Sequence, residues 1–234
     1  QVLAGLRGNL PFGDWTWDAY ASHGATRTDL DYIGWVSTER WRRLAASPNF
    51  GRGADIAGPA STSLQCTSGL PVFGEFEISQ DCINSLRGNY TDRTRLTQDI
   101  IEATAQGGLF DLPAGEVRAA VGVTRRDNKF SYMPDATRDR TNIIDSVVGS
   151  FGQANVFGET RVEEIYGELL VPLLRDLPGV RNLELELGYR HSDYGTSGNV
   201  PTWKALFSYS PVNWLRFRGG YQLANRAPNI NELF

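Results

Sequence analysis

Between residues 183 and 223 apolar and polar side chains alternate with a period of two, the pattern of strands that keep one apolar face. Leu183, Leu185, Leu187 and Tyr189 fall on one parity, and Glu184, Glu186, Gly188 and Arg190 on the other. Trp203, Ala205, Phe207 and Tyr209 oppose Thr202, Lys204, Leu206 and Ser208; after a Ser-Pro-Val-Asn turn, Leu215, Phe217, Gly219, Tyr221 and Leu223 oppose Arg216, Arg218 and Gln222. Weaker copies of the pattern run through Val117, Ala119, Val121 and Val123, through Ile165, Leu169 and Val171, and through Trp15, Trp17, Ala19 and Ala21, after a strand at 2–8. The stretch 96–106 is the least regular. The expectation is about eight strands of about 7–14 residues each, a length that suits tilted membrane strands.

The connections alternate. Short ones fall at 10–14, 110–115, 173–182 and 211–213, and longer ones at 26–91, 131–159 and 193–201. In an antiparallel meander this alternation gathers every long loop at one end, the asymmetry of outer-membrane barrels. The longest loop is expected to hold two short helices. At 37–46, Trp41, Leu44 and Ala45 have helical spacing; at 79–86, Ser79 is placed to cap, Ile78, Cys82 and Leu86 share a side, and Gly88 stops the turn. Cys66 and Cys82 either bridge, pinning the second helix to the loop, or remain two thiols.

Charge changes the picture little: 23 basic against 27 acidic residues, net −4, excludes a nucleic-acid binder that works by phosphate neutralisation. Two cysteines, Cys66 and Cys82, are too few for a thiolate zinc site and the distant His23 and His191 do not complete a zinc-ligand spacing with them, so neither metal nor cofactor is expected. The 25 glycines and 11 prolines break the chain into short pieces, as an all-β protein requires. No run of eighteen apolar residues is present, so any crossing of a membrane falls to strands.

On the membrane reading, Trp15, Trp17 and Trp214 beside short turns, and Tyr189, Tyr194 and Trp203 near long-loop ends, make two interfacial girdles. The opposite parity, with Glu184, Glu186, Arg190, Arg216 and Arg218, suits a watery bore. Glu184 and Glu186, about 7 Å apart by strand rise, imitate a glycosidase pair, but with Arg190 alongside they read as a solvated wall, and no catalysis is expected. Tyr32, Trp35, Trp41 and Phe50 give the longest loop an aromatic character, read first as its own small core and second as ligand contacts.

Four pieces carry a family resemblance: ELLVPLL at 168–174, LELELGYRHSDYG at 183–195, PTWKALFSYSPVNWLRFRGGYQLA at 201–224 and RAPNINELF at 226–234. In this order and spacing they resemble the TonB-dependent outer-membrane receptors; Asn225 departs from them, where relatives more often carry an aromatic residue. The resemblance implies an all-β, antiparallel transmembrane β-barrel segment of about eight strands with long extracellular loops, in the outer membrane of a Gram-negative bacterium. It implies import of a scarce ligand, such as an iron–siderophore complex, cobalamin or an oligosaccharide. The energy would come from the TonB–ExbB–ExbD system through a plug, and the bilayer would be a further partner. Neither the plug nor the TonB-binding segment is recognisable here, so residues 1–234 are expected to be one part of the barrel domain. Arg226 and Asn229 are expected to face inward at a corner bent by Pro228. Two rivals remain at this stage: a complete eight-stranded barrel with a structural or adhesive role, and a soluble carbohydrate-binding sandwich.

Overall fold

The computed structural model describes residues 1–56, 63–71, 73–75, 77–142 and 145–233. The chain enters β1 (Val2–Asn9) and β2 (Thr16–Val36), then helix α1 (Thr38–Ala45) and a 3-10 turn at Pro48–Gly51. The short strands β3 (Ala54–Ile56) and β4 (Leu64–Cys66) and helix α2 (Gln80–Leu86) follow. The remaining long strands are β5 (Arg87–Leu112), β6 (Gly115–Met133), β7 (Val156–Leu177), β8 (Val180–Tyr194), β9 (Gly198–Val212) and β10 (Leu215–Leu223), before a last turn of helix, α3 (Ile230–Leu233). Eight strands lie in one sheet in the order β1-β2-β5-β6-β7-β8-β9-β10, and β3 pairs with β4 apart from it. Sequence neighbours are thus sheet neighbours throughout, and β1 and β10 are its two edges. A single sheet sets aside the sandwich, and its open order sets aside the small closed barrel.

The parity of the sequence is preserved by the register. Leu183 pairs with Tyr209, Leu185 with Phe207 and Tyr189 with Trp203, while Glu184 meets Ser208 and Arg190 meets Thr202. β10 extends both rows, with Phe217 against Tyr209, Tyr221 against Ala205 and Leu223 against Trp203, after a bulge between Leu215 and Phe217. β7 adds Leu169 beside Leu187 on the apolar side and Tyr166 beside Arg190 on the polar one. Leu187, Tyr189, Trp203, Phe207, Phe217 and Tyr221 are all exposed, so this apolar face is not the inside of a globule. Trp203 packs on Tyr221 at 5.3 Å, and Tyr209 stacks on Phe217 at 6.2 Å.

The structure corrects several expectations. The strands are longer than the alternation implies: β2 has 21 residues, β5 has 26, β6 has 19 and β7 has 22. Part of their extra length lies where both parities turn polar, as in Thr91–Arg95 of β5 and Arg125–Lys129 of β6, and a strand wetted on both faces leaves no period-two signal. The irregular stretch 96–106 is ordinary β5. The first loop therefore shrinks to 37–86 and the second to 134–155, while β8 and β9 are joined by a turn at 195–197, as tight as those on the short side. Tyr194 keeps the parity of Arg190 and Ser192, so it lies on the polar face and does not join Tyr189 in a girdle.

Two compact units divide the chain: one from 1–26, 96–130 and the residues from 158 onward, the other from 27–95 and 131–157. The second has its own core of Leu44, Leu64, Leu70, Leu86 and the cystine Cys66–Cys82, with Val36, Ala54 and Ile56 packed against it. Closing the 16-residue separation by that disulfide removes chain entropy worth about 3 kcal/mol. Both helices stand where expected. Ser37 caps α1 by accepting from Arg40 N, but the Ser79 hydroxyl leaves α2 uncapped because it bonds Ser68 instead. Gly88 does not stop α2; the chain turns extended already at Arg87 and enters β5.

Candidate functional site

The polar face of the first unit is a lattice of side chains that reach across strands. Tyr20 donates to Glu102 Oε2 at 2.7 Å and Tyr166 donates to Glu102 Oε1 at 3.3 Å. Arg190 lies 4.8 Å over the Tyr166 ring and 3.7 Å from Glu164, which accepts from Ser192 Oγ at 2.6 Å. Lys204 bonds Glu186 at 2.6 Å and Glu168 at 3.0 Å. Each such half-exposed pair contributes at most about 1 kcal/mol. Their joint effect is to fix a wall on which donors and acceptors alternate.

Two of these bridges pass over a glycine. Register places Gly188 between Glu168 on β7 and Lys204 on β9. A methyl group there would sit 2.6 Å from Lys204 Cε, so the lysine stem occupies the space a side chain would take. Gly122 on β6 lies in the same way beneath the ring of Tyr166, which crosses it to reach Glu102 on β5. A side chain spans a whole strand only where the intervening strand has nothing above its backbone.

The residues expected to line a bore fall into two depressions on this face. Glu184, Glu186, Arg216 and Arg218 surround one of about 480 Å³ with Leu170 and Ser208. Arg190 lines another of about 350 Å³ with Glu164, Tyr166, Glu168, Tyr194 and Lys204. Arg216 also reaches Ser210 Oγ at 3.3 Å. Arg226 and Asn229 are engaged with Glu232. Arg226 Nη2 donates to Glu232 Oε1 at 2.8 Å, while Asn229 N and Glu232 N bond one another's side chains at 2.8 and 3.0 Å. The last pair is a capping box closing α3, legible in Asn-Ile-Asn-Glu but not anticipated. Glu232 sits below its usual value because Arg226, and then the Asn229 amide, favour its charged form.

In the second unit, connection 134–155 is tied to the long strands and to the lobe of α1. Asp92 accepts from Tyr132 Oη at 2.7 Å and from Asp135 N at 3.0 Å, and forms an ion pair with Arg138 in which the side chains are only 4% and 11% exposed. Arg138 also lies 4.5 Å over the Tyr32 ring. Asp145 accepts from Ser37 Oγ at 2.8 Å and from Glu39 N at 3.0 Å. Removing one partner of a pair as buried as Asp92–Arg138 costs about 3–5 kcal/mol. No local sequence pattern announces these contacts, because their partners lie 40 to 108 positions apart.

The loop aromatics are not that unit's core. Leu44, Leu64 and Cys82 fill it, leaving Trp35 39% and Trp41 37% exposed. Tyr32 packs edge-on to Trp35 at 5.5 Å, and Phe50 edge-on to Phe73 at 5.8 Å. Beside the cystine, Asp81 accepts from Thr67 N at 2.7 Å and Thr67 Oγ1 at 2.9 Å. With the Ser79 hydroxyl first and these two donors next, the Asp81 carboxyl is held down at about 2.

Gly188→Val should lower stability by about 1–3 kcal/mol, and adding Lys204→Ala should restore most of it, since the clashing stem is gone; strictly additive losses in urea unfolding would refute the crossing. Because the folded carboxyl of Asp81 is depressed from 3.8, its stabilising effect is complete above that value and is lost as pH falls toward about 2. A carboxyl carbon shift titrating with a midpoint near 2, moved up by Thr67→Val, is the expected result, and a midpoint near 4 in the unaltered protein would sink it.

No curated protein and no solved structure matches the chain. The family model described as TonB dependent receptor-like, beta-barrel, matches residues 2–234. Its match spans the meander, the two-faced strands and the capped corner alike, and the chain belongs to the TonB-dependent receptor family, within its β-barrel domain.

Proposed function

We propose that this chain is part of the wall and outer loops of an outer-membrane import receptor. The reading rests on one observation joined to the family: a single sheet whose apolar face is exposed while its other face is an ion-paired lattice. In lipid such a sheet satisfies every inner backbone group through its neighbours and presents hydrocarbon outward. The apolar row from Ile165 to Val171 on β7, or from Leu183 to Tyr189 on β8, rises about 20 Å along the strand, in keeping with a tilted hydrophobic band. The open edges of β1 and β10 pair with further strands to close the barrel.

The polar wall, with Glu184, Glu186, Arg190, Arg216 and Arg218, faces the bore and the plug, and Arg226 and Asn229 shape the corner after β10. In the second unit Tyr32, Trp35 and Trp41 offer stacking surface to an incoming iron chelate, cobalamin or oligosaccharide. Energy for release comes from the TonB–ExbB–ExbD system.

Two outcomes are expected. Cells carrying the full-length protein should accumulate a labelled iron–siderophore complex, cobalamin or oligosaccharide, and lose that uptake when TonB is inactivated; uptake unchanged by loss of TonB would overturn the mechanism. Leu187→Arg should destabilise the protein refolded into vesicles by about 2–4 kcal/mol while Ser208→Arg, on the opposite parity, costs less than about 1 kcal/mol. The reverse order would place lipid on the wrong face.

A further inference from the structure

The apolar face of the first unit ends abruptly. Following one parity along β5 and β6, Ala105, Ala103 and Ile101 give way to Asp99, and Val121 and Val123 to Arg125 and Asp127. On β7 and β8, Ile165 gives way to Glu163 and Arg161, and Tyr189 to His191 and Asp193. Most charges on this rim are paired along and between strands. Asp127 bonds Arg125 at 2.9 Å and Arg161 at 2.5 Å, Arg125 lies 3.4 Å from Glu163, and His23 bonds Asp99 at 2.6 Å.

Across this boundary runs a furrow. A depression of about 480 Å³ joins the rim residues Arg125, Glu163, His191 and Asp193 to an apolar floor of Ile101, Ala103, Val123 and Ile165. A second, of about 380 Å³, shares Ala103, Val123 and Ile165 and continues past Ala105 and Val121 to Trp17. The furrow exists because small side chains, Ala103 and Ala105, lie among larger ones. Its floor is mostly hydrocarbon, with Thr104 and Asp18 at the end beside Trp17, and most of its charge is gathered at the head.

We propose that this furrow is a lipid site, taking an acyl chain along Ala103, Val123 and Ile165 and a zwitterionic amine-phosphate headgroup at the rim. The proposal rests on the membrane reading above and adds a specific occupant to it. The charge at the head selects the headgroup. Arg125 and Glu163 already balance one another at 3.4 Å, which leaves the His191 ring as donor for a phosphate and the Asp193 carboxylate as acceptor for an ammonium group; a purely anionic headgroup would leave Asp193 unpaired. Among the described residues no side-chain hydrogen bond engages His191 or Asp193, so the two, alternate on β8, are available to a ligand.

The test uses the full-length protein in detergent, titrated with phosphatidylethanolamine or with phosphatidylglycerol of the same acyl chains and read by native mass spectrometry. Phosphatidylethanolamine should be retained about tenfold more tightly. Ala103→Leu, which fills the furrow, should abolish both adducts, and Asp193→Asn should remove the preference alone. Equal retention of the two lipids, a preference for the anionic one, or adducts indifferent to Asp193→Asn would overturn the site, and the last comparison decides even if Ala103→Leu fails to fold. A protein that stays monodisperse without detergent and retains neither lipid would instead bring down the membrane reading itself.

Discussion

A peptide group in hydrocarbon has no water to bond, so a strand that enters a bilayer must find all its partners in neighbouring strands. That constraint organises the rest of this chain. It forces sequence neighbours to be sheet neighbours, from β1 through β10, because a meander pairs each strand as it is laid down. It also frees the two faces of the sheet to differ completely, since neither has to cover the backbone. One face becomes Leu, Ala, Val and aromatic residues, and the other becomes Glu, Lys, Arg, Ser and Tyr joined by hydrogen bonds.

The polar face then faces a problem of reach. Neighbouring strands in a sheet lie about 4.8 Å apart, so a side chain that is to link strands two apart must lie flat over the one between. Glycine at Gly188 and Gly122 clears that path. The result links β7 to β9 through Lys204 and β5 to β7 through Tyr166, so a wall of individually weak pairs is tied over several strands. A glycine in mid-strand is therefore as informative about the polar lattice as the charges themselves.

How much of this was legible in the sequence followed from what each face touches. Where one face meets an apolar medium and the other does not, as at Leu183–Tyr189 against Glu184–Arg190, parity is written in the residues and the register reproduces it. Where both faces are polar, as from Thr91 to Arg95, the alternation vanishes although the strand continues, and the pattern alone overstates the loop. Helix α1 was visible from its own spacing, and the cystine partners from there being two cysteines. The Asp92–Arg138 pair and the Asp145 contacts with α1 were not, because they join distant segments whose residues, taken singly, resemble any solvated loop. The aromatic residues misled in the opposite direction. Trp35 and Trp41 invite a core assignment by size, yet the cystine and four leucines already fill that volume.

The unequal strand lengths carry the last step. A band about 25 Å tall needs about 9–11 tilted residues, whereas β5 has 26 and β7 has 22. The remainder of each long strand lies outside the apolar rows, beyond the rim of Asp99, Arg125, Glu163 and Asp193. β8 and β9 close instead at the turn 195–197, soon after their own rim residues. The long connections are thus carried by extended, hydrogen-bonded stalks, not by free coil, and the stalks are bound to connection 134–155 through Asp92, Tyr132 and Arg138. Surface set on such stalks is ordered by the backbone ladder that carries it. Tyr32 and Trp35, both within β2, are held in this way, so any contact made there would carry little of the ordering cost that a flexible loop would impose.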